Sequence, residues 1–176
     1  AEIVLLEPAC GALLARLMPR AVGQGARIHC LDGDPETLAF ADAGHQARPT
    51  NIRLNMVHQD VVSLPDTEDL VFPAADVVIL NGLLDYLPAR VATGLLSWCR
   101  DQLAAGGGVV VTGLAPSQDA RFMEHVLDWP TMRRTSGELQ EFLRATGFEV
   151  TALQGSPDSD LGGLVLVGTL PTDGQS

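Results

Sequence analysis

Residues 27–43, RIHCLDGDPETLAFADA, carry a strand, a tight loop and a helix start in one continuous stretch. Arg27–Leu31 reads as a short buried strand. Asp34 followed by Pro35 reads as an N-cap and a first helical position, so a helix is expected to run on toward Ala43. Asp32 and Gly33 lie between the two. With Asp34 committed to the cap, Asp32 has no local task, and an acid at the carboxyl end of a strand can accept from both hydroxyls of a ribose.

The same alternation extends in both directions and predicts repeated βαβ units around a parallel sheet. Residues 2–6 (EIVLL) read as the first strand, and Leu13, Leu14, Leu17 and Met18 fall on one face of the helix after it. Residues 52–57 and 75–80 read as the third and fourth strands. Pro88 is expected to open a long helix through Leu103, stopped by Gly106–Gly108, before a fifth strand over Val109–Gly113. A short helix is expected near Asp119–Leu127. Thr135 and Glu138 form a capping box for the last helix, with Gly147 as its stop. Phe148–Leu153 and Leu164–Thr169 are β-rich and joined by a turn-rich link too short for a helical crossover, which predicts an antiparallel hairpin. The expected fold is therefore α/β and Rossmann-like: a mostly parallel seven-stranded sheet with an antiparallel C-terminal hairpin and helices on both faces. One domain over residues 1–170 and a disordered tail over 171–176 are expected.

In such sheets ligands bind outside the carboxyl ends of the strands, where the strand order reverses. The loop after the first strand, Glu7-Pro8-Ala9-Cys10-Gly11-Ala12, has small residues that let a ligand approach the backbone, although a plain tight turn reads the same way. Asp32 follows Gly11 by 21 residues, an offset suited to a ribose contact. After the third strand, Asp60 could accept from an adenine amine while Val61 supplies a backbone donor; a solvated turn acid is the competing reading. Glu7, Asp32 and Asp60 each sit just past a predicted strand, so all three are expected on one rim.

Composition narrows the partners. The 176 residues are 46% hydrophobic, enough for a sizeable core without a structural metal. A net charge of −11 opposes binding to nucleic acid, which draws its nonspecific affinity from cationic side chains. No window is apolar enough for a membrane span. The cysteines (Cys10, Cys30, Cys99) and the four histidines show no metal-ligand spacing, so no metal site is expected and a cytoplasmic setting fits. The first apolar run begins at Ile3 with no leader or N-terminal cap before it, which reads as an excised domain or the remainder of a longer chain.

The three acidic loops together resemble those of class I S-adenosylmethionine-dependent methyltransferases. More narrowly, ACG in the first loop, LDGDPETLAFA, NGLLDYLPAR and FMEHVLDWPTMRRT resemble a bacterial group associated with "extracellular factor" biosynthesis, which makes the methyl ester of 3-hydroxypalmitic acid. Arg133 stands where that group has an aromatic residue, and Leu84 where it has phenylalanine. The resemblance spans the chain. It implies S-adenosylmethionine as cofactor, with S-adenosylhomocysteine as product, held by Glu7, Ala9, Gly11, Asp32, Gly33, Asp60, Val61 and Asn81. It places Asp85, Tyr86, Trp129 and Arg134 toward a small-molecule acceptor such as a fatty-acid-like carboxylate.

Methyl transfer asks mainly for alignment and electrostatics. A carboxylate acceptor would need only positioning, for which Arg134 offers a bidentate clamp. A hydroxyl or amine acceptor would need Asp85 to take or orient a proton, with Tyr86 beside it. Two other classes compete. A non-catalytic S-adenosylmethionine- or nucleotide-binding module of a larger protein fits the same fold. A nicotinamide-dependent oxidoreductase is disfavoured, because the phosphate-cradling glycines are absent and Glu7 would repel a pyrophosphate. A homodimer and an additional upstream domain both stay open.

Overall fold

The computed structural model describes residues 1–7, 12–21, 23, 25–45, 51–67, 72, 74–116, 120–153 and 163–171. Seven strands form one sheet: β1 (Glu2–Leu6), β2 (Ala26–Asp32), β3 (Ile52–His58), β4 (Ala75–Asn81), β5 (Leu103–Leu114), β6 (Glu149–Leu153) and β7 (Gly163–Thr169). Their spatial order is β3-β2-β1-β4-β5-β7-β6. β1 to β5 pair in parallel, while β7 runs antiparallel to both β5 and β6. The expected sheet, with its closing hairpin, is the one that forms.

The five described helices are α1 (Ala12–Ala21), α2 (Pro35–Ala43), α3 (Ala89–Gln102), α4 (Ala120–His125) and α5 (Ser136–Ala145). Strand periodicity sends alternate residues to opposite faces. Val4, Leu6, Val78 and Leu80 therefore pack with Leu95, Trp98, Leu139 and Leu143 from α3 and α5. Leu5, Ile28, Cys30 and Ile79 pack with Leu14, Met18, Leu38 and Ala41 from α1 and α2. A fully buried leucine such as Leu95 stabilises the fold by about 1.5–3 kcal/mol. Cys30 and Cys99 are free thiols inside these cores, and burial pushes Cys30 up to about 12 and Cys99 upward as well, so neither is a nucleophile.

Local chemistry sets the helix ends. Asp34 caps α2 by accepting from the Glu36 amide at 2.9 Å and the Thr37 hydroxyl at 2.7 Å. The capping box of α5 is complete: the Thr135 hydroxyl accepts from the Glu138 amide at 3.2 Å and the Glu138 carboxylate accepts from the Thr135 amide at 2.7 Å.

Three details differ from expectation. Pro88 is the N-cap of α3, with ψ 150°, and Ala89 is the first helical residue. Gly106–Gly108 do not stop that helix, which ends at Gln102; they lie inside β5. The register slips from Ala75 opposite Leu103 to Val77 opposite Gly108, and at Gly107 a Cβ would meet the Ala104 carbonyl at 2.9 Å and the Ala75 carbonyl at 3.0 Å, so the bulge excludes side chains there. Finally, two 3₁₀ turns, Val61–Asp66 and Leu83–Tyr86, occupy stretches read as plain loop. Residues 172–176 of the expected tail and the link 154–162 lie outside the described residues. No helix among the described residues is long and apolar enough to cross a membrane.

Candidate functional site

The strand order reverses between β1 and β4, and the carboxyl ends of these strands open onto a cavity of about 680 Å³. Glu7 and Asp32 line one part, just after β1 and at the end of β2. Asn81, Gly82, Asp85 and Tyr86 line another, after β4. Thr37, Thr112, Gly113, Leu114, Gly163, Leu164 and Val165 complete the wall.

Glu7 adopts the left-handed backbone region at φ 50°, a conformation that costs a residue with a side chain on the order of 1–3 kcal/mol and that concentrates at functional sites. Its amide donates to the Leu31 carbonyl at 2.8 Å, which holds it beside β2. Burial, then the negative charges of Asp32 and Asp60, push its carboxyl above the usual range. The three acids expected on one rim thus share one electrostatic neighbourhood. Asp32 is 9% exposed, and its Oδ1 accepts from the Asp34 amide at 2.9 Å. That bond gives Asp32 the local task the sequence had seemed to withhold, though the side chain still lines the cavity.

Asp60 and Val61 stand apart from the lining. Asp60 is exposed and caps the 3₁₀ turn by accepting from the Val62 amide at 3.0 Å, while Val61 is buried in the core. Gly33 is also outside the described lining, and its carbonyl lies 3.1 Å from His58 Nε2. Ala9 and Gly11 lie outside the described residues. Asn81 Oδ1 accepts from the Thr112 hydroxyl at 2.9 Å, joining the ends of β4 and β5.

Asp85 is 1% exposed. Its Oδ2 accepts from the Leu114 amide at 2.8 Å, and its Oδ1 is buried with no hydrogen-bond partner. Burial raises its carboxyl above the ordinary range, against the Leu114 hydrogen bond and the charges of Arg134 and Arg133, which act the other way. Tyr86 is half-exposed at the mouth, where its phenol oxygen accepts from the Trp129 indole N–H at 2.8 Å.

Arg134 does not face the cavity as the carboxylate clamp would require. It is buried, it donates to the backbone carbonyls of Leu84 and Leu87, and its guanidinium lies 5.2 Å from the centre of the Phe142 ring. Its fork is thereby committed to the backbone around the turn Leu83–Tyr86. The sequence reading missed Thr112–Leu114 and Gly163–Val165. The rim rule, applied to β5, finds the former; the latter follow from antiparallel pairing, which puts the amino end of β7 on the same rim.

Similarity to solved structures bears on this arrangement. An O-methyltransferase family protein from Burkholderia thailandensis matches with a TM-score of 0.73 at 18% identity, over 98% of this chain and 51% of that one. The CurJ carbon methyltransferase matches with a TM-score of 0.77 at 16% identity, over 97% and 48%. The fold is that of the class I methyltransferases. The magnesium protoporphyrin IX methyltransferase from Synechocystis PCC 6803, solved with bound S-adenosylhomocysteine, matches with a TM-score of 0.72 at 14% identity, over 96% of this chain and 73% of that one. This chain thus spans about half the length of the first two. No protein-family model matches the sequence, and no curated protein does.

Proposed function

We propose that this chain is the cofactor-binding and catalytic part of an S-adenosylmethionine-dependent methyltransferase acting on a small molecule. One observation carries the reading: Glu7 and Asp32 face a single cavity at the point where the strand order reverses, in a fold shared with methyltransferases. The residues suit the cofactor. Asp32 would accept from ribose hydroxyls and Glu7 would face a positively charged group, and Glu7 would repel a pyrophosphate. When bound, the cofactor supplies an activated methyl group on a sulfonium.

The finer expectation, methyl esterification of a hydroxy fatty acid, rests on motifs resembling the extracellular factor group. The cavity supports it less well than a hydroxyl or amine acceptor, because the cation a carboxylate needs, Arg134, is committed to Leu84 and Leu87. Asp85, buried with an unpartnered oxygen, is the group to take the acceptor's proton. That same oxygen favours an enzyme over a non-catalytic module, for which an unmet buried acceptor is only a cost.

Calorimetric titration with S-adenosylmethionine and S-adenosylhomocysteine, with NAD as control, tests the reading. Micromolar binding that Asp32→Ala weakens by at least about tenfold supports it. Saturable binding of NAD alone would sink it.

A further inference from the structure

Among the described residues, every charged side chain lining the cavity is an acid: Glu7, Asp32 and Asp85. Two cations act on Asp85, and both are engaged elsewhere. Arg134 holds the Leu84 and Leu87 carbonyls, and Arg133 reaches the Ala115 carbonyl at 3.3 Å, the Thr131 hydroxyl at 3.3 Å and the Met123 sulfur at 2.6 Å.

Within this acidic lining, Asp85 Oδ1 is a buried acceptor with no donor. Gly113 lies against it: a Cβ there would stand 3.0 Å from that oxygen, so any side chain at this position would crowd the carboxylate. Tyr86 lines the cavity, and the Trp129 indole N–H donates to its phenol oxygen at 2.8 Å; each of the two aromatic side chains is 45% exposed. Aromatic faces attract cations. A carboxylate entering beside Asp85 would meet its negative charge and, among the described lining residues, no cation. An alcohol would satisfy Oδ1 but offset none of the negative charge. An ammonium does both.

We propose that the methyl acceptor is an amine, bound with one N–H directed to Asp85 Oδ1 and its cationic end within reach of the Tyr86 and Trp129 rings. The assignment rests on the methyltransferase reading above and names the acceptor class of that site. The ammonium first gives a proton to the Asp85 carboxylate, whose proton affinity burial raises. The freed nitrogen lone pair then forms the new N–C bond as the methyl–sulfur bond breaks, and sulfur keeps the electron pair. The product is a methylated ammonium and a neutral thioether, and the proton on Asp85 leaves to solvent.

Three probes with one skeleton test this: 2-phenylethylamine, 2-phenylethanol and phenylacetate, titrated into the full chain and followed by tryptophan emission. The amine is expected to bind at least tenfold more tightly than the alcohol, and phenylacetate not to saturate. Asp85→Asn is expected to bring the amine to the level of the alcohol, and Tyr86→Leu to weaken the amine several-fold while sparing the alcohol. S-adenosylhomocysteine calorimetry on each protein reports the cofactor site separately. Equal binding of amine and alcohol, tighter binding of phenylacetate, or a preference unchanged in both variants overturns the amine assignment while the cofactor site stands. If wild-type protein binds no S-adenosylhomocysteine, the methyltransferase reading falls and the amine falls with it as a methyl acceptor.

Discussion

The backbone amide of Met132 donates to the carbonyl of Asp85 at 2.6 Å. Two residues on, Arg134 holds the carbonyls of Leu84 and Leu87. The segment before α5 therefore straps the turn Leu83–Tyr86 through three carbonyls, and this turn carries Asp85 and Tyr86 to the cavity. A distant segment thus joins the turn's own bonds, Asp85 amide to Gly82 carbonyl and Leu87 amide to Leu84 carbonyl, in fixing where these side chains stand.

Removing the strap should be costly. Arg134→Met leaves two carbonyls without their donor and is expected to destabilise the fold by about 2–4 kcal/mol. In a domain of this size each kcal/mol lowers Tm by roughly 2–4 °C. Arg134→Lys keeps the charge but loses the planar fork, and an intermediate loss is expected. Thermal unfolding followed by circular dichroism measures both, and a Tm for Arg134→Met within a degree of wild type would contradict the strap.

Asp32 should separate binding from folding. Among the described residues its Oδ1 accepts from the Asp34 amide alone, while Asp34 itself caps α2. Asp32→Ala is expected to weaken S-adenosylhomocysteine by about tenfold to a hundredfold, the scale of hydrogen bonds to a charged acceptor. Asp34→Ala is expected to cost about 1 kcal/mol of stability through the lost cap, with little effect on affinity. Calorimetry and denaturant unfolding on the two variants give the comparison; equal loss of affinity in both would show that Asp32 acts only by shaping the loop.

What the sequence made legible follows the range of the interactions involved. Leu13, Leu14, Leu17 and Met18 announce an amphipathic helix, and Asp34-Pro35 and Thr135-Glu138 announce helix starts, because each signal lies within a turn or two of chain. Gly106–Gly108 were misread as a helix stop because their role depends on the Ala75 carbonyl of the neighbouring strand. Arg134 was misread for the same reason, its partners lying 50 and 47 residues away. At the site, the rule that ligands meet the carboxyl ends of parallel strands pointed to Glu7 and Asp32, and the family resemblance to Asn81, Asp85 and Tyr86; all five line the cavity. It could not separate Asp60, whose side chain caps a 3₁₀ turn that no sequence signal had announced.

The pH dependence of stability carries the signature of Glu7. Its folded carboxyl sits above the ordinary value of 4.5, through burial and the charges of Asp32 and Asp60. Well below 4.5 both states hold the proton. As pH rises through 4.5 the unfolded chain ionises first, so the folded state binds more protons and stability falls until the folded Glu7 ionises too. Asp85, raised above 3.8 by burial, adds a slope of the same sign. Glu7→Gln is expected to flatten this fall and to raise Tm at neutral pH while weakening the cofactor, a trade of stability against function. Unfolding curves between pH 4 and 8 on wild type and Glu7→Gln measure it. The lowered carboxyls of Asp34 and Glu138 add slopes of the opposite sign, so the readout is the difference between the two proteins, and a Glu7→Gln profile as steep as that of wild type would count against the Glu7 shift.

Gly113 supplies the sharpest test of how the buried carboxylate is held. A Cβ at this position would stand 3.0 Å from Asp85 Oδ1 and 3.4 Å from Oδ2, so the carboxylate must move for Gly113→Ala to fit. It has little freedom, because Oδ2 is tied to the Leu114 amide and the Asp85 carbonyl to Met132. Alanine gains about 0.4–1 kcal/mol by restricting the unfolded chain. Loss of the Leu114–Asp85 bond costs about 1.5–3 kcal/mol, as for other hydrogen bonds to charged groups. The second effect is larger, so a net loss of about 1–2 kcal/mol is expected, together with loss of the selectivity for amine over alcohol and with S-adenosylhomocysteine binding retained. If Gly113→Ala is instead stabilising and keeps the selectivity, the space beside Oδ1 is not what the acceptor uses, and the approach to Asp85 must lie on another side of the carboxylate.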